Sequence, residues 1–284
     1  FLNRNHAGVF MGMCAIMTLG YTTVSFLDYS RFAAHGRKGQ FYCRQLFFAL
    51  VFLGLCAGTV FTRSRGGMLA LGTGIFSYAF LCTGFIPQLK KTRWKGLLIT
   101  LAALALCSGW VLMHLDEINA FAHRAGGTSE EIRKMLYRTS FDMLEDYPVW
   151  GIGVGAMPVV ITSYMPQRLN AYVERLHSDW LEILLGTGYA GFIPVLFGVL
   201  WFMRAALRRM RRLERKKQFL FASLLSGLIV MGVGSAVDFD FFIPATAFLF
   251  FLILGMACSN SYDKHHIVVP AQTKDRSILY PGIE

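Results

Sequence analysis

Apolar runs long enough to cross a bilayer constrain this chain more than any other feature of its sequence. About seven can be marked, at roughly 8–27, 45–62, 67–86, 96–115, 180–203, 218–237 and 241–258, against a requirement of about 20 residues per crossing. The second and the last are the shortest. Uninterrupted runs of this length predict an all-α fold, a polytopic transmembrane helical bundle. Composition supports the assignment: 55% of the 284 residues are hydrophobic and 16% charged, where a soluble domain is nearer a quarter charged.

The net charge of +11 would suggest nucleic acid on a soluble protein. In a membrane chain Lys and Arg mark cytoplasmic connections instead, and no nucleic-acid partner is expected. The basic residues cluster as that rule requires. Arg31, Arg37, Lys38 and Arg44 lie in one connection; Lys90, Lys91, Arg93 and Lys95 in a second; Arg204, Arg208, Arg209, Arg211, Arg212, Arg215, Lys216 and Lys217 in a third. All three fall on one side if every segment spans, together with the tail 259–284, which has no apolar periodicity and is expected to be poorly ordered. The other side receives the N-terminus, the short 63–66 turn, the long loop 116–179 and the Asp238–Asp240 turn. Residues 1–258 thus form the membrane domain. The six cysteines include no CxxC pair and none lies in the long loop, so neither disulfides nor a metal site is expected. The chain opens on Phe1 without Met, which reads as a fragment of a longer protein lacking N-terminal spans.

The loop 116–179 is too long for a connector. Thr128 or Ser129 can cap a helix running to about Asp146, with Ile132, Met135, Leu136, Phe141 and Leu144 on its apolar face and Pro148 ending it. Gly151, Gly153 and Gly155 follow. No strand precedes them and no Lys-Ser/Thr follows, so a tight turn accounts for them better than a phosphate loop does. The loop reads as a small, partly helical cap over the external face.

A few residues can carry chemistry. Arg65, in Thr62-Arg63-Ser64-Arg65-Gly66-Gly67, sits where the charge bias disfavours arginine. It reads equally as a phosphate-binding fork and as a snorkelling span end; Arg63 reads as the latter. Arg138 has Asp142 four residues on, the spacing of a helix-surface ion pair. His177 stands where the loop re-enters a span, with Ser178, Asp179 and Glu182 beside it. It has no second ligand at helical spacing for a metal. A neutral imidazole there can act as a general base for a hydroxyl nucleophile.

In order along the chain, Phe1-Leu2-Asn3-Arg4-Asn5 enters a span and Ser64-Arg65-Gly66-Gly67 enters another. Arg138 precedes Asp146-Tyr147-Pro148-Val149-Trp150-Gly151-Ile152-Gly153, and His177-Ser178 leads to Gly188-Tyr189-Ala190-Gly191. This pattern resembles the O-antigen ligase superfamily of bacterial envelope glycan transferases. The resemblance implies an inverting, metal-independent transfer without a cofactor, at the periplasmic face of the inner membrane. The glycan comes from undecaprenyl diphosphate. The acceptor is a hydroxyl of lipid A–core in ligases, a growing glycan in polymerases, or Ser/Thr in protein O-oligosaccharyltransferases. It also implies that Arg65 and Arg138 contact the donor diphosphate and that His177 is the base or orients the acceptor, with Arg63, Asp179 and Glu182 in support. Membrane lipid is an expected partner, and Gly186, Gly188 and Gly191 are expected to pack this span against neighbouring spans. A lipid-linked-glycan transporter, the competing class, would place ionisable residues mid-span or break helices in paired halves; the spans are nearly free of such charge.

Overall fold

A computed structural model of the chain describes residues 3–85, 128–165 and 173–259. All regular structure among these residues is helical. The helices are α1 (Arg4–Leu27), α2 (Tyr29–Ala34), α3 (Lys38–Phe61), α4 (Arg65–Phe85), α5 (Thr128–Asp146), α6 (Met157–Tyr164), α7 (Asp179–Met210), α8 (Arg215–Val237) and α9 (Pro244–Cys258). A 3-10 turn, Asp240–Phe242, joins the last two. The expected span at 96–115 and all but the first residue of the expected tail lie outside the described residues.

The helices α1, α3, α4, α7 and α8 are long and apolar enough to cross a membrane. With only helices available to satisfy backbone groups in lipid, the chain is a multi-pass membrane protein of all-α class. The final apolar stretch differs from expectation. Its first residues form the 3-10 turn, which leaves α9 with 15 residues, about 22 Å of helix against a hydrocarbon core of about 30 Å.

At the centre lies α8, buried along most of its length, with α1 and α4 packed on it and on each other. Small residues permit the close crossings. A Cβ on Gly67 would fall 3.0 Å from the Cα of Gly8, and one on Gly20 would strike the Ser223 hydroxyl. Little of α3 and α7 is buried among the described residues, as suits lipid-facing helices.

The bundle has two unlike ends. One gathers the N-termini of α1, α4, α7 and α9 and the C-terminus of α8. The other carries the basic connections, where Lys216 pairs with Asp28 and Arg209 donates to the carbonyls of Ala257 (2.8 Å) and Ser259.

The cap stands over the first end. Leu136, Met143, Leu144, Met157, Ile161, Val173 and Leu176 bury one another together with Leu185 of α7. Helix α7 is interrupted at Gly188 (φ 61°, ψ −171°), and the segment after α5 is spliced into the break. Ile152 and Gly153 donate to the carbonyls of Leu185 (2.9 Å) and Gly186 (3.1 Å). Tyr189 and Ala190 donate to those of Pro148 (2.8 Å) and Val149 (3.0 Å). Gly151 (φ 68°) and Gly188 cross so closely that a Cβ on either would lie 2.5 Å from the other's amide nitrogen. From the sequence, Gly186, Gly188 and Gly191 are expected to pack against neighbouring spans; among the described residues they meet the loop and their own helix instead. Gly188 meets the loop, a Cβ on Gly186 would lie 3.5 Å from the Cα of Val154, and a Cβ on Gly191 would strike Thr187 of its own helix.

Candidate functional site

The site is built from helix ends. His177 precedes α7 and has φ 56°, the left-handed region that a non-glycine residue adopts at some cost. Its surroundings fix it there. The Tyr137 hydroxyl of α5 donates to the His177 carbonyl (3.0 Å), and Ser178 caps α7 by accepting from the Leu181 amide (3.3 Å). The amide of Asp179 donates to the carbonyl of Asp238 (3.3 Å), and an Asp179 carboxylate oxygen accepts from the amide of Phe241 (3.0 Å). Segments 177–179 and 238–241 are thereby stitched together.

Across this seam His177 Nδ1 lies 3.0 Å from Asp238 Oδ1. The carboxylate is 2% exposed and the imidazole side chain 32%, so the ring is anchored from within and open on one side. The second Asp238 oxygen accepts from the Asn5 side-chain amide (2.5 Å) and faces the Arg133 guanidinium at 3.9 Å. Burial alone would push the Asp238 carboxyl up. The hydrogen bonds from His177 and Asn5, the His177 charge and the Phe239 amide outweigh it and hold the group below its ordinary value. With an ionised acceptor at Nδ1, the neutral ring carries its proton there and presents Nε2 as a base.

A second, fully buried pair lies alongside: His6 Nδ1 to Asp240 Oδ1, 2.7 Å. Phe239 lies between the histidines, its ring centroid 4.8 Å from His6 and 5.2 Å from His177. Burial raises the Asp240 carboxyl despite the hydrogen bond from His6, and the charge of Asp238 raises it further. His6 Nε2, Asp179 Oδ1 and Asp240 Oδ2 are buried without a hydrogen-bond partner among the described residues.

The other residues singled out from the sequence fall at this end of the bundle in different settings. Arg65 opens α4 behind the cap Ser64, whose hydroxyl accepts from the Gly67 amide (3.0 Å). Arg65 is exposed, and a Cβ on its neighbour Gly66 would press on Val237, the residue before Asp238. Arg63 is exposed with φ 51°. Arg138 is exposed on α5, next to Tyr137; the arginine of that helix facing the buried carboxylate is Arg133. Glu182 pairs with Arg175 (2.7 Å), whose guanidinium also stacks on Phe242 at 3.4 Å.

Asn5, His6, Arg133, Tyr137, Asp238 and Asp240 were not identified from the sequence as site residues. The available signal was two acids in a short link between two wholly apolar spans, since a carboxylate at the membrane edge demands partners. Among the described residues, no group of three or more His, Cys, Asp or Glu side chains is placed to hold a metal ion. The arrangement can take a proton from a group approaching the open face of His177, with the Arg133 guanidinium beside the same carboxylate.

Comparison with protein families matches residues 48–196 to the O-antigen ligase model. The matched stretch runs from α3 to the middle of α7 and contains Arg65, Arg138 and His177. Asn5, His6, Asp238 and Asp240 lie outside it. No curated protein and no solved structure matches the chain. The match covers more than half of the 284 residues, and with the all-α membrane architecture it places the chain in the O-antigen ligase family, as a membrane enzyme of ligase- or polymerase-type glycosyl transfer.

Proposed function

We propose that the chain moves a glycan from undecaprenyl diphosphate to an acceptor hydroxyl, a lipid A–core sugar in the leading case, at the periplasmic face of the bacterial inner membrane. The observation that carries this reading is the His177–Asp238 pair, anchored on a buried carboxylate and open on the other side. Nε2 of His177 takes the proton of the acceptor hydroxyl as its oxygen attacks the anomeric carbon. The bond from that carbon to the diphosphate oxygen breaks, and undecaprenyl diphosphate leaves with the bonding pair. Asp238 stabilises the imidazolium that forms and holds the ring in one tautomer. Arg65 and Arg138 bind the diphosphate and offset the charge it gains, the kind of preorganised stabilisation that contributes most to such transfers. Arg63, Asp179 and Glu182 are supporting residues. Transfer proceeds without a metal or cofactor, because guanidinium groups supply the positive charge.

The test is a transfer assay with the purified full-length protein, a lipid-diphosphate glycan donor, and a panel of lipid A–core, glycan and peptide acceptors. His177→Ala is expected to reduce turnover by about 10²–10⁴-fold, the range of general-base catalysis. Arg65→Ala is expected to cost about 10²–10³-fold, as for loss of one charge-stabilising group. Turnover of the His177 variant at the native rate would exclude the base role. Activity lost on chelation and restored by a divalent cation would exclude the mechanism.

A further inference from the structure

We propose that the cap is docked into the bilayer: Trp150, Val154 and Val159 sit among lipid acyl chains at the membrane surface, beside the break in α7. The inference is independent of the catalytic reading.

Depth is fixed by α7. A hydrocarbon core of about 30 Å takes about 20 helical residues. Counted back from Arg204 and Arg208, where charge begins on this helix, the opposite boundary falls between about Leu184 and Gly188. That is the level at which Ile152, Gly153, Pro148 and Val149 hydrogen-bond to Leu185, Gly186, Tyr189 and Ala190. The loop is thus tied to the helix at the hydrocarbon boundary.

The chemistry of the segment suits that position. From Tyr147 to Gln167 the sequence contains no charged residue, in a loop otherwise rich in charge. Helix α6 turns Met157 and Ile161 into the core of the cap and leaves Val159 outward. Exposure reaches 79% for Trp150, 85% for Val154 and 74% for Val159, with Tyr147 and Val149 half exposed. Open to water, such a patch is costly. It continues instead the exposed apolar surface of α7 at Tyr189, Ile193 and Phe197. Trp150, Tyr147 and Tyr189 are the amphipathic aromatics that collect at the headgroup level. The splice provides what non-helical backbone needs beside lipid, since it satisfies amides and carbonyls that water would otherwise have to reach.

The test uses the full-length protein with its cysteines replaced, in vesicles of phosphatidylethanolamine and phosphatidylglycerol. Nitroxide labels are placed at Val154→Cys and Val159→Cys, with Ile193→Cys as the lipid-facing reference and Glu145→Cys as the water-facing one. Power saturation with oxygen and with a water-soluble nickel chelate reads depth. Positions 154 and 159 are expected to favour oxygen as position 193 does. Values matching position 145 would overturn the proposal. So would lipid-like values appearing only on addition of undecaprenyl diphosphate, which would make the patch a contact for the donor tail. Should the cysteine-free protein fail to fold, Trp150→Phe in brominated lipid gives the same reading. The component lost should be quenched and blue-shifted; loss of an unquenched, red-shifted component would refute docking.

Discussion

At the scale of single residues, the site depends on a buried carboxylate whose partners come from three other places in the chain. Because Asp238 is held below its ordinary value, it stays ionised as pH falls through the usual carboxylate range. The stability it gives the seam is present above about pH 4, the ordinary value, and is lost only as pH falls through its depressed native value. Asp238→Asn keeps the shape and removes the charge. The imidazolium that forms at His177 then loses its neighbouring anion, so the maximum rate should fall by about 10²-fold or more. An unchanged maximum rate would remove Asp238 from the mechanism. None of this was legible locally. His177 stood out because it sits at a loop-to-span junction, but Asp238 is 61 residues away, and no spacing rule links such positions. The same holds for α5. Its existence and its end before Pro148 follow from capping and proline chemistry. Which arginine it turns inward depends on rotation about its axis, and that is set by packing of Leu136, Met143 and Leu144 into the cap.

At the scale of elements, the apolar runs declared themselves because hydrocarbon permits little but helix. The break in α7 did not, because glycines in a transmembrane helix more often signal close packing with another helix. Here Gly188 combines a left-handed φ with backbone contact to the loop. Gly188→Ala should therefore cost about 1–3 kcal/mol of local stability through backbone strain, and the clash with Val149 and Gly151 should free the loop from α7. Limited proteolysis of the protein in detergent would report it, as faster cleavage between 147 and 165 with the remaining bundle intact. Gly198 of the same helix, where an added Cβ would meet nothing within 4 Å among the described residues, is the control; equal cleavage in the two alanine variants would show that the splice does not hold the cap.

At the scale of the molecule, the two ends of the bundle differ in chemistry, and the positive-inside rule converts that difference into an orientation. A membrane-impermeant maleimide should label Glu145→Cys in intact spheroplasts and Lys216→Cys only after lysis. The reverse pattern would turn the site toward the cytoplasm and remove the proposed donor and acceptor from its reach. The fold class could be read from the sequence because it rests on length and hydropathy. The site could be read only in outline, because it is assembled where helix ends meet.

That meeting of ends also sets an order of events. Asn5 and His6 are synthesised 233 and 234 residues before their partners Asp238 and Asp240. Until α8 has been threaded into the bundle, His177 has no carboxylate and the first turn of α1 no counterpart. The site is thus among the last features of the described chain to form, and a partly inserted chain carries its histidines and arginines without yet carrying an arrangement able to react.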